Sequence, residues 1–244
     1  MRILAIDAGN SRIKWGLNEN GAWRAQSWIV TSDAARLAQN WQHTPAPDIV
    51  LASNVAGAKV GEQLGTAVGS LGRSVQFVRS RDYQCGVRSS YDQPAQLGPD
   101  RWAALIGAWH LRGGPSVVVS VGTTMTVDAL SGEGVFLGGV IVAGADLMRE
   151  ALARSTAGLK PEDGAYTYFP DNTADAIMSG AINALAGTVE RMQRFMREAG
   201  EAAPQIVLSG GAAPVIERAL NGKVEVVDNL VLEGLLRIAL EREK

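Results

Sequence analysis

Asp7 closes a short apolar run, Ile3 to Ile6, and is followed at once by Ala8, Gly9, Asn10, Ser11 and Arg12, with Ile13 and Lys14 opening a second run. A carboxylate at the end of a buried strand, followed by glycine, suits an acid that meets hydrated Mg²⁺ while backbone N–H groups approach phosphate oxygens. Alone, the turn is equally an ordinary hairpin whose Asp and Asn hold it by local hydrogen bonds. The stretch has an echo 113 residues later, from Gly9 to Gly122. Val119, Gly122, Thr123, Thr124 and Val127 stand where Ile6, Gly9, Asn10, Ser11 and Lys14 do, and Ser120 stands in the place of Asp7. Two such turns facing one another across a cleft can grip the phosphates of one nucleotide from both sides, which one turn cannot do. Neither is a GxxxxGK[ST] loop, and neither is a GxGxxG between strand and helix. A third candidate is Asp100 in Gly98–Pro99–Asp100–Arg101, with Tyr91 upstream. An acid there also has a structural reading, since carboxylates in a first helical turn complement the helix dipole.

The composition narrows the classes. The chain has 244 residues, 46% of them hydrophobic, enough to bury one large core or two smaller ones. Net charge is -2 with Lys and Arg scattered, so there is no electrostatic footprint for nucleic acid or an anionic membrane. One cysteine, Cys85, and two histidines, His43 and His110, exclude a disulfide framework and a Cys/His zinc site within one chain. A reducing cytoplasm fits, and no apolar stretch is long enough to span a bilayer. The six tryptophans lie in the first half, at strand and helix positions expected to form core and interface. His110 falls near a helix C-terminus, away from any catalytic role.

The elements that must position these residues follow from periodicity and turn chemistry. The opening hairpin is followed by strands at 23–30, 48–52 and 74–78 and by helices at about 32–41, capped by Ser32 or Asp33, and 57–71. A long loop from Ser80 to Gly98 precedes a helix from Pro99 to Arg112, with Pro at its first position. After Gly113–Gly114–Pro115 the pattern restarts, with strands at 116–120 and 134–142 around the second turn and a helix at 145–155. A loop from Gly158 to Asn172 leads to a long helix capped by Thr173. Strands at 205–208 and 224–227 flank the Ser209–Gly210–Gly211 turn, and a helix at 230–240 closes the chain. The reading is an internal duplication, with domains at 1–114 and 115–244.

A duplicated βββαβαβα unit with such turns resembles the actin, hexokinase and Hsp70 superfamily, whose ribonuclease H-like α/β domains place the active site in the cleft between them. In that superfamily a later glycine pair lies by the adenosine, and Ser209–Gly210–Gly211 occupies its place. The motifs DAGNS at the front, YDQPAQLGPDRW at Tyr91 to Trp102, GTTMTVD in the middle, GGVIVAG at Gly138 to Gly144 and NTADAIMSG at Asn172 to Gly180 stand in order. On them the sequence resembles the type III pantothenate kinases over essentially its whole length.

The resemblance implies ATP-dependent phosphorylation of pantothenate to 4′-phosphopantothenate, the first step towards coenzyme A. It implies ATP binding by Asp7, Ala8, Gly9, Asn10, Ser11, Arg12, Ile13 and Lys14 and by Gly122 and Thr123, with Asp7 meeting Mg²⁺ through water. It makes Asp100 the catalytic acid–base group and places Tyr91, Gly98, Pro99, Asp100, Arg101 and Thr173 against pantothenate. Where the family often carries an Asp that holds K⁺ or NH₄⁺ in the second turn, this chain has Ser120, so a monovalent-cation site is weakened, rebuilt from neutral oxygens or absent. The family is homodimeric, and the apolar side of the long helix from Thr173, which ends at Gly200, with small residues at Gly180, Ala181 and Ala184, suits either a helix contact between copies or packing on the sheet. Two other readings remain: another small-molecule kinase of the superfamily, and a nucleotide-binding transcription accessory factor without catalysis.

Overall fold

The computed structural model describes residues 1–42, 44–156, 158–159 and 162–241. His43 and part of the expected Gly158–Asn172 loop lie outside them. By its internal contacts the chain forms two compact units, Met1–Gly113 with the chain from Asn229 on, and Gly114–Asp228.

In the first unit, strands β1 (Arg2–Ala8), β2 (Arg12–Glu19), β3 (Ala22–Val30), β4 (Ile49–Asn54) and β5 (Gln76–Phe77) lie in the order β3-β2-β1-β4-β5. β1 is central, antiparallel to β2 and parallel to β4. Alternation decides the faces: Leu4, Ile6, Ile13 and Trp15 turn into one core with Leu37, Trp41, Leu64 and Val68, while Asp7, Arg12 and Lys14 belong to the other face. Trp15 and Trp41 meet edge to face, ring centres 6.1 Å apart. Trp102 is also fully buried, but Trp28 is 49% exposed, outside the core role expected of the tryptophans.

The segment Thr31–Trp41 is a 3₁₀ helix rather than the capped α-helix expected, and no side chain caps it. Its buried residues are Ala34, Leu37 and Trp41, and nothing in their 3-then-4 spacing, which an α-helix would serve as well, explains the tighter turn. Helix α1 (Ala58–Gly69) buries Val60, Leu64, Ala67 and Val68 against the same core. The long loop contains a miniature hairpin, β6 (Tyr83–Gln84) and β7 (Val87–Ser89), turned by Cys85 and Gly86, both at positive φ. Helix α2 (Pro99–Arg112) starts on Gly98 and stops at Gly113 in the left-handed region.

The second unit repeats the plan. Strands β8 (Ser116–Val121), β9 (Thr124–Leu130) and β10 (Val135–Ala143) precede helices α3 (Ala145–Ser155) and α4 (Thr173–Glu198). Then come β11 (Gln205–Ser209), α5 (Ala213–Glu217) and β12 (Val224–Val226). These strands run β10-β9-β8-β11-β12, the order of the first unit over again. The core joins Val117, Val119 and Val127 to Ile182, Leu185 and Val189 of α4 and to Ile206, Leu208 and Ile216. The N-cap of α4 is Asn172, whose Oδ1 accepts from the Asp175 N–H at 2.9 Å, and Thr173 is the first helical residue rather than the cap.

The closing helix α6 (Leu230–Glu241) packs in the first unit, although its sequence position follows the second. It crosses α2 at two glycines. A Cβ on Gly107 would lie 2.6 Å from the Leu230 carbonyl oxygen, and one on Gly234 would enter the Ala103 backbone. Trp23 Nε1 donates to Glu233 at 2.6 Å and Asn229 Nδ2 to Gln26 at 3.0 Å, fastening the outer face of β3 to the same segment. Glu241 accepts the Cys85 N–H at 2.9 Å, and His110 Nε2 lies 3.2 Å from the Cys85 carbonyl, so His110 serves the small hairpin.

Candidate active site

The first turn is built by its own backbone. The Gly9 N–H donates to the Arg12 carbonyl at 3.0 Å, so that donor is committed to the turn, while the Thr31 hydroxyl and N–H hold the Gly9 and Ser11 carbonyls at 2.7 and 3.0 Å. Asn10 and Ser11 are exposed at the tip. Ala8 and Ile13 are fully buried in the core, so within the expected nucleotide-binding run they set the strands while their neighbours carry the polar atoms. The Arg12 guanidinium lies 4.2 Å from the centre of the exposed Trp28 ring, a cation–π contact that parks this arginine beside the turn.

Asp7 stands opposite Lys14 across β1 and β2 and is only partly accessible to solvent. Loss of hydration is the largest influence on its carboxyl. The Asp100 carboxylate adds to the effect, the Lys14 ammonium opposes it, and the pKa is pushed up to about 7. Asp7 and Asp100, 93 residues apart in sequence, are therefore brought within electrostatic reach of one another. α2 does this: Gly98 is its N-cap, Pro99 its first residue and Asp100 its acidic first-turn residue. A Cβ on Gly98 would stand 2.5 Å from Asp100 Oδ1, so glycine is what lets this carboxylate fold back over the helix start. Arg101, next along, is 7% exposed.

The residues fit magnesium in the form that accompanies nucleotides. Two carboxylates against one lysine leave excess negative charge, which a divalent cation would relieve. Among the described residues no cluster of three or more His, Cys, Asp or Glu surrounds a single point.

In the second unit the Gly122 N–H donates to the Thr124 carbonyl at 3.0 Å, and Thr123 accepts from the Gly144 N–H at 2.9 Å. Gly144 and Gly210 were legible as glycine motifs but not as the supports they are. A Cβ on Gly144 would lie 2.5 Å from the Gly122 carbonyl oxygen, and one on Gly210, at φ 107°, would strike the Val121 backbone. Ser120 pairs with Thr126 on one side and Ser209 on the other, a row of three hydroxyls. Ser120 and Thr126 are six positions apart where Asp7 and Lys14 are seven, so the second turn is one residue shorter and Thr126, not Val127, is the counterpart of Lys14. Asp128 is buried one row deeper, opposite Val118.

Thr173 lines a recess of about 700 Å³ in the second unit, with Met148, Leu152, Pro170, Ile177 and Gly180. α4 thus has two apolar aspects. Ile182, Leu185 and Val189 enter the core, while Ile177 and Gly180 line the recess. Tyr91 follows β7 in the first unit, its N–H on Ser89 Oγ at 3.3 Å.

One order of five strands repeated in both units, each with a polar glycine turn between its first two strands, defines the class as the actin-like ATPase and sugar-kinase fold. A provisionally assigned 2-dehydro-3-deoxygalactonokinase from Sinorhizobium meliloti has this fold, with a TM-score of 0.62 at 16% identity, covering 98% of this chain and 99% of that one. Sequence comparison is narrower: the model of the type III pantothenate kinases matches residues 3–194. Type III pantothenate kinases from Nitrosospira multiformis and Aromatoleum aromaticum are 45% and 46% identical over 239 residues, covering 98% of this chain and 91% and 98% of theirs. The chain belongs to the type III pantothenate kinase family.

Proposed function

We propose that the protein transfers the γ-phosphoryl group of ATP to the primary alcohol of pantothenate, giving 4′-phosphopantothenate. Family membership supports the reaction, and the observation that carries the assignment of roles is the pairing of Asp7 with Asp100 at the first turn. Phosphoryl transfer demands alignment and charge neutralisation rather than covalent chemistry. Asn10, Ser11 and Arg12 of the first turn and Gly122 and Thr123 of the second are assigned to phosphate oxygens, and Asp7 to the hydration shell of magnesium. Magnesium, when bound, neutralises charge on the phosphates. Asp100 orients the alcohol and takes its proton late, once the loose transition state has made the hydroxyl acidic, and Arg101, Tyr91 and Thr173 are assigned to pantothenate. A cytoplasmic homodimer is part of the same reading.

The test is Asp100→Asn assayed with pantothenate. It should bind ATP as wild type does and lose turnover by about 10²-fold or more, the scale of a lost general base. Near-normal turnover would remove Asp100 from that role. ADP release from wild type on a panel of sugars and acids, with none on pantothenate, would favour another small-molecule kinase, and no release on any of them the non-catalytic reading. With Ser120, Thr126 and Ser209 offering only neutral oxygens, activity should respond little to K⁺, and Ser120→Asp should create a saturable response. Titration of both proteins with K⁺ against a Na⁺ control checks this.

A further inference from the structure

Strand register lines up four side chains in one row across the first sheet. Ser53 of β4 is opposite Asp7 of β1, Asp7 opposite Lys14 of β2, and Lys14 opposite Trp28 of β3. Matched positions on neighbouring strands send their side chains to the same face, so all four share the face away from Ile6 and Ile13. Asp7 thus has a serine on one side, a lysine on the other, and Asp100 reaching it from α2.

Ser53 is the unexplained member. It is fully buried, and its Oγ has no hydrogen-bond partner among the described residues. No hydrogen bond to the Asp7 carboxylate is made among them either. A buried hydroxyl without a partner works against folding, and packing asks nothing of it that alanine would not supply. The second unit places Ser209 in the same register against Ser120, so a serine beside the phosphate turn belongs to the plan of both sheets.

We propose that Ser53 is a positioning residue of the phosphoryl-transfer site: its hydroxyl donates, through one water, to the Asp7 carboxylate and fixes the oxygen that Asp7 turns towards the hydrated magnesium of the nucleotide. Facing side chains on paired strands stand about 5 Å apart at Cβ, a gap that one water closes. Ser53 and Asp7 give such a water a donor and an acceptor. The inference rests on the kinase reading, which assigns Asp7 to magnesium.

The experiment is Ser53→Ala, with thermal unfolding and calorimetric ADP binding measured across a Mg²⁺ titration and in EDTA. The variant should keep or slightly raise the Tm, bind ADP in EDTA as wild type does, and need about tenfold more Mg²⁺ to tighten binding, the scale of a lost partner behind a metal ligand. A wild-type Mg²⁺ requirement in Ser53→Ala overturns the proposal. So does a lowered Tm with weaker binding in EDTA, which would make Ser53 a structural group. Wild-type protein whose ADP binding ignores Mg²⁺ would instead overturn the assignment of Asp7 to magnesium, and this proposal with it.

Discussion

Asp7 is the residue where stability and function conflict. Its pKa is raised to about 7 because ionising it costs hydration and meets Asp100, so the folded state holds the proton more tightly than the unfolded chain. The sign follows: whatever this group contributes is present below about pH 4, declines as the pH rises, and is gone above about 7. Asp7→Asn, which cannot ionise, should therefore show a Tm advantage over wild type that grows between pH 4 and 7 and then levels off. Thermal unfolding in EDTA across that range measures it, and a constant difference would contradict the desolvation account. Asp7 and Asp100 were both legible in the sequence because each sits at a punctuated place, an apolar run ending in glycine and a proline-led helix start. Ser53 was not. It follows Ile49–Ala52 in a strand buried on both faces, where alternation carries no information about what faces what.

Elements were read well where one physical signal dominated and poorly where two competed. The paired hairpins and α2 follow from alternation, glycine and proline. The segment Thr31–Trp41 had a plausible cap in Ser32 or Asp33, yet the helix starts earlier, with Val30 at its N-cap, and no side chain caps it. Thr173 lost the capping position to Asn172, which the preceding Asp171 made hard to single out. The crossing of α2 with α6 depends on two glycines that in sequence only weaken their helices. Gly234→Ala should destabilise by about 2 kcal/mol or more, because the methyl meets the Ala103 backbone rather than a side chain that can turn away. A Tm unchanged within error would mean that the helices separate freely. A fall of roughly 2–4 °C per kcal/mol is expected for a chain of this size.

At the scale of the molecule the duplication was visible as a repeat of two turns, and the structure makes it a repeat of strand order. Sequence continuity suggested two successive halves. The structure instead divides the chain as Met1–Gly113 with Asn229 onward, and Gly114–Asp228. What escaped reading was long-range: α6 is apolar enough to join either sheet, and only the fit of Gly234 and Gly107 shows which helix it meets. A chain stopped at Asp228 should keep slow hydrogen exchange in β8, β9 and β11 and lose it in α2 and β1. Equal protection in both would show that α6 is dispensable. The same discontinuity sets an order of events during synthesis. The segment made second has all its parts as soon as Asp228 leaves the ribosome, whereas the segment made first must wait, with the apolar side of α2 uncovered, until α6 emerges. The nascent chain therefore completes its later half before its earlier one.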